Sequence, residues 1–325
     1  MLRLPRFALE VPATLAEATA LLREHAGKAM AVAGGTDVYP KMKRRQFTPE
    51  VLVSLRRVVD AEIQNGTGLR IGAGATLTAV AEHPLVRERY PALATAAALI
   101  STPQLRNMGT LGGNLCLDTR CNWYDQSLLW RTAEGYCMKT HGDVVCRVAP
   151  SSRRCLAVAS ADTVPALIAL GARVRVANPD GERELDLAHL YREDGIRYLT
   201  IGTDDIVTEI RLPKADGWRS AYLKLRDRGA FDFPIVGVAA AARFEGDRCV
   251  QARVALTALG SSPQLIAKAG EALVGSRLED EAITRAAEAV YAAAKPMDNT
   301  AGTIAQRKRT ARVFAERALR ELRAG

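Results

Sequence analysis

The chain has 325 residues, 48% hydrophobic and 25% charged, with a net charge of +9. That length allows two or three sub-domains with an ample core, and the balance is that of a soluble globular protein. No run of eighteen apolar residues argues for a membrane span, and with aromatics at 5% and no nucleic-acid motif, the basic charge reads as solvated surface or as a face for an acidic protein partner.

The opening MLRLPRFALEVP has no apolar signal core, so the chain is expected to stay in the cytoplasm. Clustered cysteines in that compartment read as metal ligands or redox groups before disulfides. Residues 7–12 read as extended. Thr14 can cap a helix while Glu17 reaches back, as in a capping box. Ala18, Leu21, Leu22 and His25 make its stripe, and Gly27 can end it.

Residues 29–33 predict a buried strand that runs into Gly34-Gly35-Thr36-Asp37. Two adjacent glycines serve a strand-to-helix turn. They also let successive backbone N–H groups converge on a phosphate, with Thr36 adding a hydroxyl. Lys41, Lys43, Arg44 and Arg45 follow and read as a mostly solvated face.

Residues 51–55 and 69–74 predict strands. The GAGATL run is not a Rossmann fingerprint, because Leu77 stands at the third glycine position. Thr76 can cap a short helix ending near Pro84, and an alanine-rich helix from Pro91 to Ile100 follows. It leads to TPQLRNMGTLGGNL, residues 102–115. There Gln104, Arg106 and Asn107 are expected to brace the loop. Gly109, Gly112 and Gly113 let backbone lie close to a ligand, and Asn114 can hydrogen-bond across it.

Five of the six cysteines, Cys116, Cys121, Cys137, Cys146 and Cys155, fall within the next 40 residues. Trp123, Tyr124, Trp130 and Tyr136 lie among them and can shield a metal centre from water. Four thiolates suit a cubane cluster or a structural Zn²⁺ equally, and there is no C-x-x-C pair to support either. Free core thiols are the third reading. Cys249 stands alone and reads as a buried strand thiol. His141 is left out because neighbouring cysteines make it unnecessary.

Beyond the cysteines, ASADTVPAL covers residues 159–167, and Asp162 is expected to cap the helix 163–170. A hairpin crosses Pro179-Asp180-Gly181. IVTEIRLP, residues 206–213, reads as a strand, and AYLKLRDR as another, with Lys224 at a strand edge. From Trp218 the character changes. Strands over 234–244 and 248–259 precede helices near 264–274, 279–294 and 303–322, the last amphipathic and basic.

TPQLRNMGTLGGNL and ASADTVPAL together resemble the second flavin-binding loop of the molybdenum hydroxylase (xanthine oxidase) family. AGGTD resembles its first. In the usual pattern only a few residues separate the two halves of the second loop, whereas here about 40 intervene. The flavin subunits of 4-hydroxybenzoyl-CoA reductases have such an insertion, and it holds a 4Fe–4S cluster. The resemblance therefore implies an α+β fold. A two-part FAD-binding domain of the vanillyl-alcohol oxidase (PCMH) type would cover residues 1–217, divided near 57, with the insertion over about 116–157. A small α/β C-terminal domain of the CO dehydrogenase flavoprotein type would cover 218–325.

The resemblance implies FAD contacts at Ala31, Val32, Ala33, Gly34, Gly35, Thr36, Asp37 and Val38. In the second loop it implies Ile100, Thr102, Gln104, Asn107, Gly109, Thr110, Leu111, Gly112, Gly113 and Asn114, and beyond it Asp162, Val207 and Lys224, the last toward the isoalloxazine. Cys121, Cys137, Cys146 and Cys155 would ligate the 4Fe–4S cluster. Cys116 stands where the family has a small residue and is omitted.

No catalytic residue is expected on this chain. Its partners would be a molybdopterin-bearing large subunit and a 2Fe–2S small subunit, in a dimer of heterotrimers. Ferredoxin would be the electron donor for reductive removal of a phenolic hydroxyl from 4-hydroxybenzoyl-CoA. Two alternatives stay open. One is an NAD- or oxygen-linked flavin subunit with structural zinc in the insertion. The other is a non-catalytic iron–sulfur sensor module.

Overall fold

The computed structural model describes residues 2–324. The N-terminal part is a small parallel sheet with helices between its strands: β1 (Ala8–Glu10), α1 (Leu15–Glu24), β2 (Ala29–Val32), α2 (Val38–Lys43) and β3 (Val51–Ser54), in strand order β1-β3-β2. Thr14 Oγ1 accepts from Glu17 N–H at 3.1 Å, as expected for the cap. Glu17 reaches back to Ala13 N–H at 2.7 Å rather than to Thr14, one residue beyond the usual capping box. Gly27 takes φ +78°, where a side chain would be strained.

The chain then builds β4 (Ile63–Asn65), β5 (Gly68–Gly72), α3 (Leu77–Glu82), α4 (Pro84–Arg89), α5 (Pro91–Ala98), α6 (Pro103–Arg106) and α7 (Leu111–Leu115). The inserted stretch contributes one helix, α8 (Leu128–Glu134). Ser127 Oγ caps it and Gly135, at φ +79°, ends it. After α9 (Thr163–Ala169) come β6 (Arg173–Asn178), β7 (Gly181–Asp186) and β8 (Ile206–Pro213). These complete a five-stranded sheet ordered β4-β5-β8-β6-β7, antiparallel at each pairing. β4, α4, α8 and the short helices α6 and α7, within what reads as a loop, are elements that pattern reading did not anticipate, and residues 264–265, expected as helix, are a strand.

β9 (Trp218–Leu225), β10 (Val236–Glu245), β11 (Arg248–Thr257) and β12 (Gln264–Leu265) form a four-stranded antiparallel sheet. α10 (Ala267–Glu271), α11 (Asp280–Ala293) and α12 (Ile304–Ala324) complete the chain. Strand alternation divides β10 between two cores. Ala239 and Ala241 pack into the core shared with α5, α9 and the five-stranded sheet. Val238, Ala240 and Ala242 pack against α11 and α12. The small side chains of β10 let layers approach closely from both faces. Among the described residues no helix is long and apolar enough to cross a membrane.

Two expectations need correction. The segment after the first glycine turn is not a solvated face throughout. Lys41 is fully buried on α2, its ammonium 2.5 Å from Asp118 and 4.6 Å from the Tyr124 ring centroid. α2 lies under the inserted stretch, so one of its faces is covered, and no local pattern shows this. Asp162 does not cap α9. It has helical φ and ψ and makes no side-chain cap bond. Its carboxylate turns inward instead.

Candidate functional site

The two glycine-rich loops meet. A Cβ at Gly34 would fall on the Met108 carbonyl, and one at Gly109 would lie 3.3 Å from Thr36 Oγ1. Backbone at residues 34–36 therefore rests directly on backbone at 108–109, which glycine alone permits. Gly35 has φ +70° and turns the chain from β2 into α2. The N–H groups of Gly34 through Val38 find no acceptor among the described residues, so successive donors at the start of a helix stand free for an anion.

The second loop differs from expectation in this respect. Leu111 N–H donates to Ala75 O, Gly112 N–H to Ala73 O, Gly113 N–H to Thr110 Oγ1 and Asn114 N–H to Thr110 O. These four donors are occupied within the protein, so this stretch contributes shape. A Cβ at Gly112 would meet Ala73 Cβ at 2.7 Å, so Gly112 is required by packing against β5's end. Asn107 braces the loop, accepting from Thr78 Oγ1 at 2.6 Å, and Arg106 Nη1 donates to Ile100 O. Gln104 is exposed, and Thr102 Oγ1 accepts from Leu105 N–H to cap α6. Asn114 Oδ1 accepts from Thr163 Oγ1 at 2.6 Å, which ties the loop to α9 rather than leaving that oxygen for a ligand.

Around these loops lie the remaining expected contacts. Ala31 and Val32 lie in β2, with Ala33 between them and the turn. Val38 packs in the small core beside Val32. Val207 is buried in β8, and Ile100 packs partly buried against the same large core. Lys224 is not a solvated edge lysine. Its ammonium donates to Leu99 O at 3.0 Å, Asp162 at 3.0 Å and Asp232 O at 2.8 Å, which satisfies its three hydrogens. Tyr222 Oη donates to the other Asp162 oxygen at 2.8 Å. Burial pushes the Asp162 carboxyl up to about 6 despite Lys224 beside it, and burial lowers Lys224.

Cys121, Cys137, Cys146 and Cys155 line one recess, together with Trp123, Tyr124, Met138, Lys139, Arg147, Val148 and Ala157. All four are buried and none is in a disulfide. Cys116 lies elsewhere, packed against the large core. Cys249 is a buried strand thiol in β11, as expected. Trp130 packs on Trp123 at 5.8 Å between ring centroids. Tyr136 and exposed His141 stack on each other instead of facing the recess.

Among the described residues, no three His, Cys, Asp or Glu side chains lie close enough to hold a single metal ion. Tetrahedral zinc would need four sulfurs each at about 2.3 Å from one centre. The donor set is all sulfur, and its surroundings are basic. Arg147 and Lys139 border the recess, and buried Arg131 has no carboxylate partner among the described residues. Burial pushes the Cys121 thiol up to about 12 and the Cys155 thiol up to about 11, so metal loading there must expel protons.

The recess is wired to the first glycine loop. Arg120, one residue before Cys121, pairs with Asp37 and with Asp125 at 3.3 Å, and its guanidinium lies 4.1 Å over the Phe233 ring centroid. Sequence patterns could not single out Arg120, Asp118 or Lys139, because their partners are far apart along the chain.

Residues 5–215 match the family described as the FAD binding domain in molybdopterin dehydrogenase. The chain belongs to this family. Residues 220–322 match the CO dehydrogenase flavoprotein C-terminal domain. The aldehyde oxidoreductase FAD-binding subunit PaoB of Escherichia coli is 31% identical, over 95% of this chain and 98% of its own length. The carbon monoxide dehydrogenase medium chain of Afipia carboxidovorans is 29% identical, over 96% and 95%. Carbon monoxide dehydrogenase from Hydrogenophaga pseudoflava has a chain that superposes with TM-score 0.82 at 27% identity, covering 99% of each.

As a flavoprotein of the molybdopterin dehydrogenase family, the chain is a flavin subunit of a molybdenum hydroxylase-type oxidoreductase with FAD as cofactor. Free donors in its first loop suit a pyrophosphate, and the second loop offers a close wall of glycine backbone.

Proposed function

We propose that this flavoprotein is the electron-transfer flavo-iron–sulfur subunit of an enzyme that reductively dehydroxylates 4-hydroxybenzoyl-CoA to benzoyl-CoA. In this reading its donor is ferredoxin, and electrons pass onward to 2Fe–2S clusters and molybdenum on partner subunits. The observation that carries it is the convergence of four cysteines, spread over 35 residues of an inserted stretch, on one basic, aromatic-walled recess. A 4Fe–4S cluster there would supply one-electron transfer at low potential, down to roughly −700 mV at the extreme, while FAD converts between one- and two-electron steps.

The chain's own residues have five tasks. Cys121, Cys137, Cys146 and Cys155 supply thiolates. Trp123 and Tyr124 keep water off the recess, and Lys139 and Arg147 offset the ligands' negative charge. Residues 34–38 present their N–H groups to the FAD pyrophosphate, and Lys224 with Asp162 closes the deeper end.

Iron, acid-labile sulfide, zinc and flavin should be measured on one anaerobic sample of the full chain, with EPR after dithionite reduction. A 4Fe–4S signal with stoichiometric FAD is expected. Zinc in place of iron would overturn the cluster, and absence of flavin would favour a sensor module. Basic surface on a +9 chain should also steer an acidic ferredoxin. Ferredoxin-driven reduction is therefore expected to slow as salt rises, since exposed charges are screened beyond about 8 Å at physiological strength. A rate independent of salt between low and high ionic strength would count against that donor.

The loops give a sharper test. Gly34→Val should part them at Met108 and yield protein without flavin after desalting. Gly142→Ala, outside both loops, should keep its flavin, because a Cβ there meets nothing within 4 Å. Full flavin absorbance in Gly34→Val would show that the pyrophosphate lies elsewhere.

A further inference from the structure

The four cysteines come from separate turns with little regular structure between them, so something must hold them in register. Lys139 is the hub. Its side chain is 6% exposed. Its ammonium donates to Asp118 Oδ1 at 2.6 Å, to Gly195 O at 2.6 Å and to Thr119 Oγ1, with Thr119 O at 3.4 Å. Thr119 Oγ1 itself donates to Gly195 O at 2.5 Å. Thr119 lies two residues before Cys121, and Lys139 lies two after Cys137.

Gly195 stands outside the inserted stretch, in the connection between η-turn residues 187–190 and β8. Its N–H donates to Cys155 O at 2.9 Å. A Cβ on Gly195 would come within 2.7 Å of Cys155 Sγ, 2.8 Å of Ala157 N and 2.9 Å of Ala157 Cβ. The backbone of Gly195 is thus the seat against which the Cys155 sulfur rests. Cys146 joins the same assembly through its neighbour Arg147, whose Nε donates to Tyr136 O at 2.9 Å, beside Cys137.

We propose that Lys139 and Gly195 are positioning residues that clasp the four-cysteine cage into shape before any metal is loaded. This rests on the cluster reading for its purpose, while the clasp itself is a property of the folded chain. An ammonium has three hydrogens, and those of Lys139 reach a carboxylate, a hydroxyl and a carbonyl oxygen, so it joins three chain segments at one point. Outer contacts of this kind fix metal ligands in place, and their loss weakens metal binding by ~10–100-fold.

The test compares the full chain with Lys139→Gln and Gly195→Ala, all prepared anaerobically. Iron, sulfide and FAD are measured, with EPR of the reduced protein. Iron-stripped samples are then alkylated with iodoacetamide, and each cysteine's rate is read by mass spectrometry. Both variants are expected to keep FAD, to bind iron ~10–100-fold more weakly, and to show altered EPR lines. Cys155 should alkylate faster in Gly195→Ala, and Cys121, Cys137 and Cys155 faster in Lys139→Gln.

Unchanged iron affinity, EPR and alkylation in both variants would overturn the clasp. Loss of FAD together with iron in both would overturn it too, by showing a general structural role. If the parent chain takes up no iron at all, the cluster reading falls by itself. The alkylation pattern then decides the clasp: faster in the variants upholds it, equal rates refute it.

Discussion

Replacing Cys137 and Cys146 together by serine is expected to abolish iron binding and ferredoxin-driven reduction while leaving FAD content unchanged. These two residues line the recess with Cys121 and Cys155, and two sulfurs cannot hold a cubane that takes four. The two glycine loops make their closest contacts through Gly34, Met108 and Gly109, none of them in the cysteine stretch. Electron transfer from the flavin to an artificial acceptor should therefore survive. Ser at Cys116 or Cys249 should change nothing, since both thiols pack elsewhere. If the double variant still passed electrons from ferredoxin at the normal rate, the recess would not be the electron inlet.

The largest effect on stability is expected at Asp118. Its carboxylate lies between two buried ammonium groups, Lys41 at 2.5 Å and Lys139 at 2.6 Å. Asp118→Asn keeps the shape and removes the charge, leaving both lysines buried without a full counter-charge. Breaking a buried pair in this way costs about 3–5 kcal/mol. A denaturant midpoint measured at neutral pH checks it, and adding Lys41→Met should restore part of the loss.

The pH dependence has a definite sign. Burial works against ionisation of Asp118, but Lys139 and Lys41 outweigh it and hold the carboxyl below its ordinary 3.8. A carboxyl depressed in the folded state contributes stability above its unfolded pKa and loses it as pH falls through the folded value. The difference between the parent and Asp118→Asn should thus be full at neutral pH and shrink below 3.8. A difference that grew on acidification would contradict this arrangement.

Much of the site was legible in the chain because it rests on local chemistry. The glycines of AGGTD and TLGGN read as places of close backbone approach to a ligand, and Gly34 and Gly112 prove to be tight positions, against Met108 and Ala73 of the protein itself. Thr14 and Thr76 cap the helices that follow them as expected, since a cap joins residues three apart, whereas Thr102 and Thr110 cap short helices within what reads as a loop. The 206–213 strand is bounded as its alternation suggests. Cysteine spacing and density announced a sulfur-rich centre, although not which thiols share a wall.

Tertiary structure alone decided the rest, and the reason is charge burial across long sequence separations. Lys41 reads as surface until Asp118, 77 residues on, covers it. Asp162 sits at a helix start and reads as a cap, yet Lys224 and Tyr222, some 60 residues later, draw its carboxylate inward. Donors in the second loop look free in sequence but are taken by Ala73, Ala75 and Thr110. Gly195 has no motif around it. Only the fold brings it against Cys155, where any side chain would displace the sulfur. Local sequence determines turns, caps and ligand types, because those act over three or four residues. Which buried charge meets which partner depends on packing of distant segments, and no short pattern encodes it.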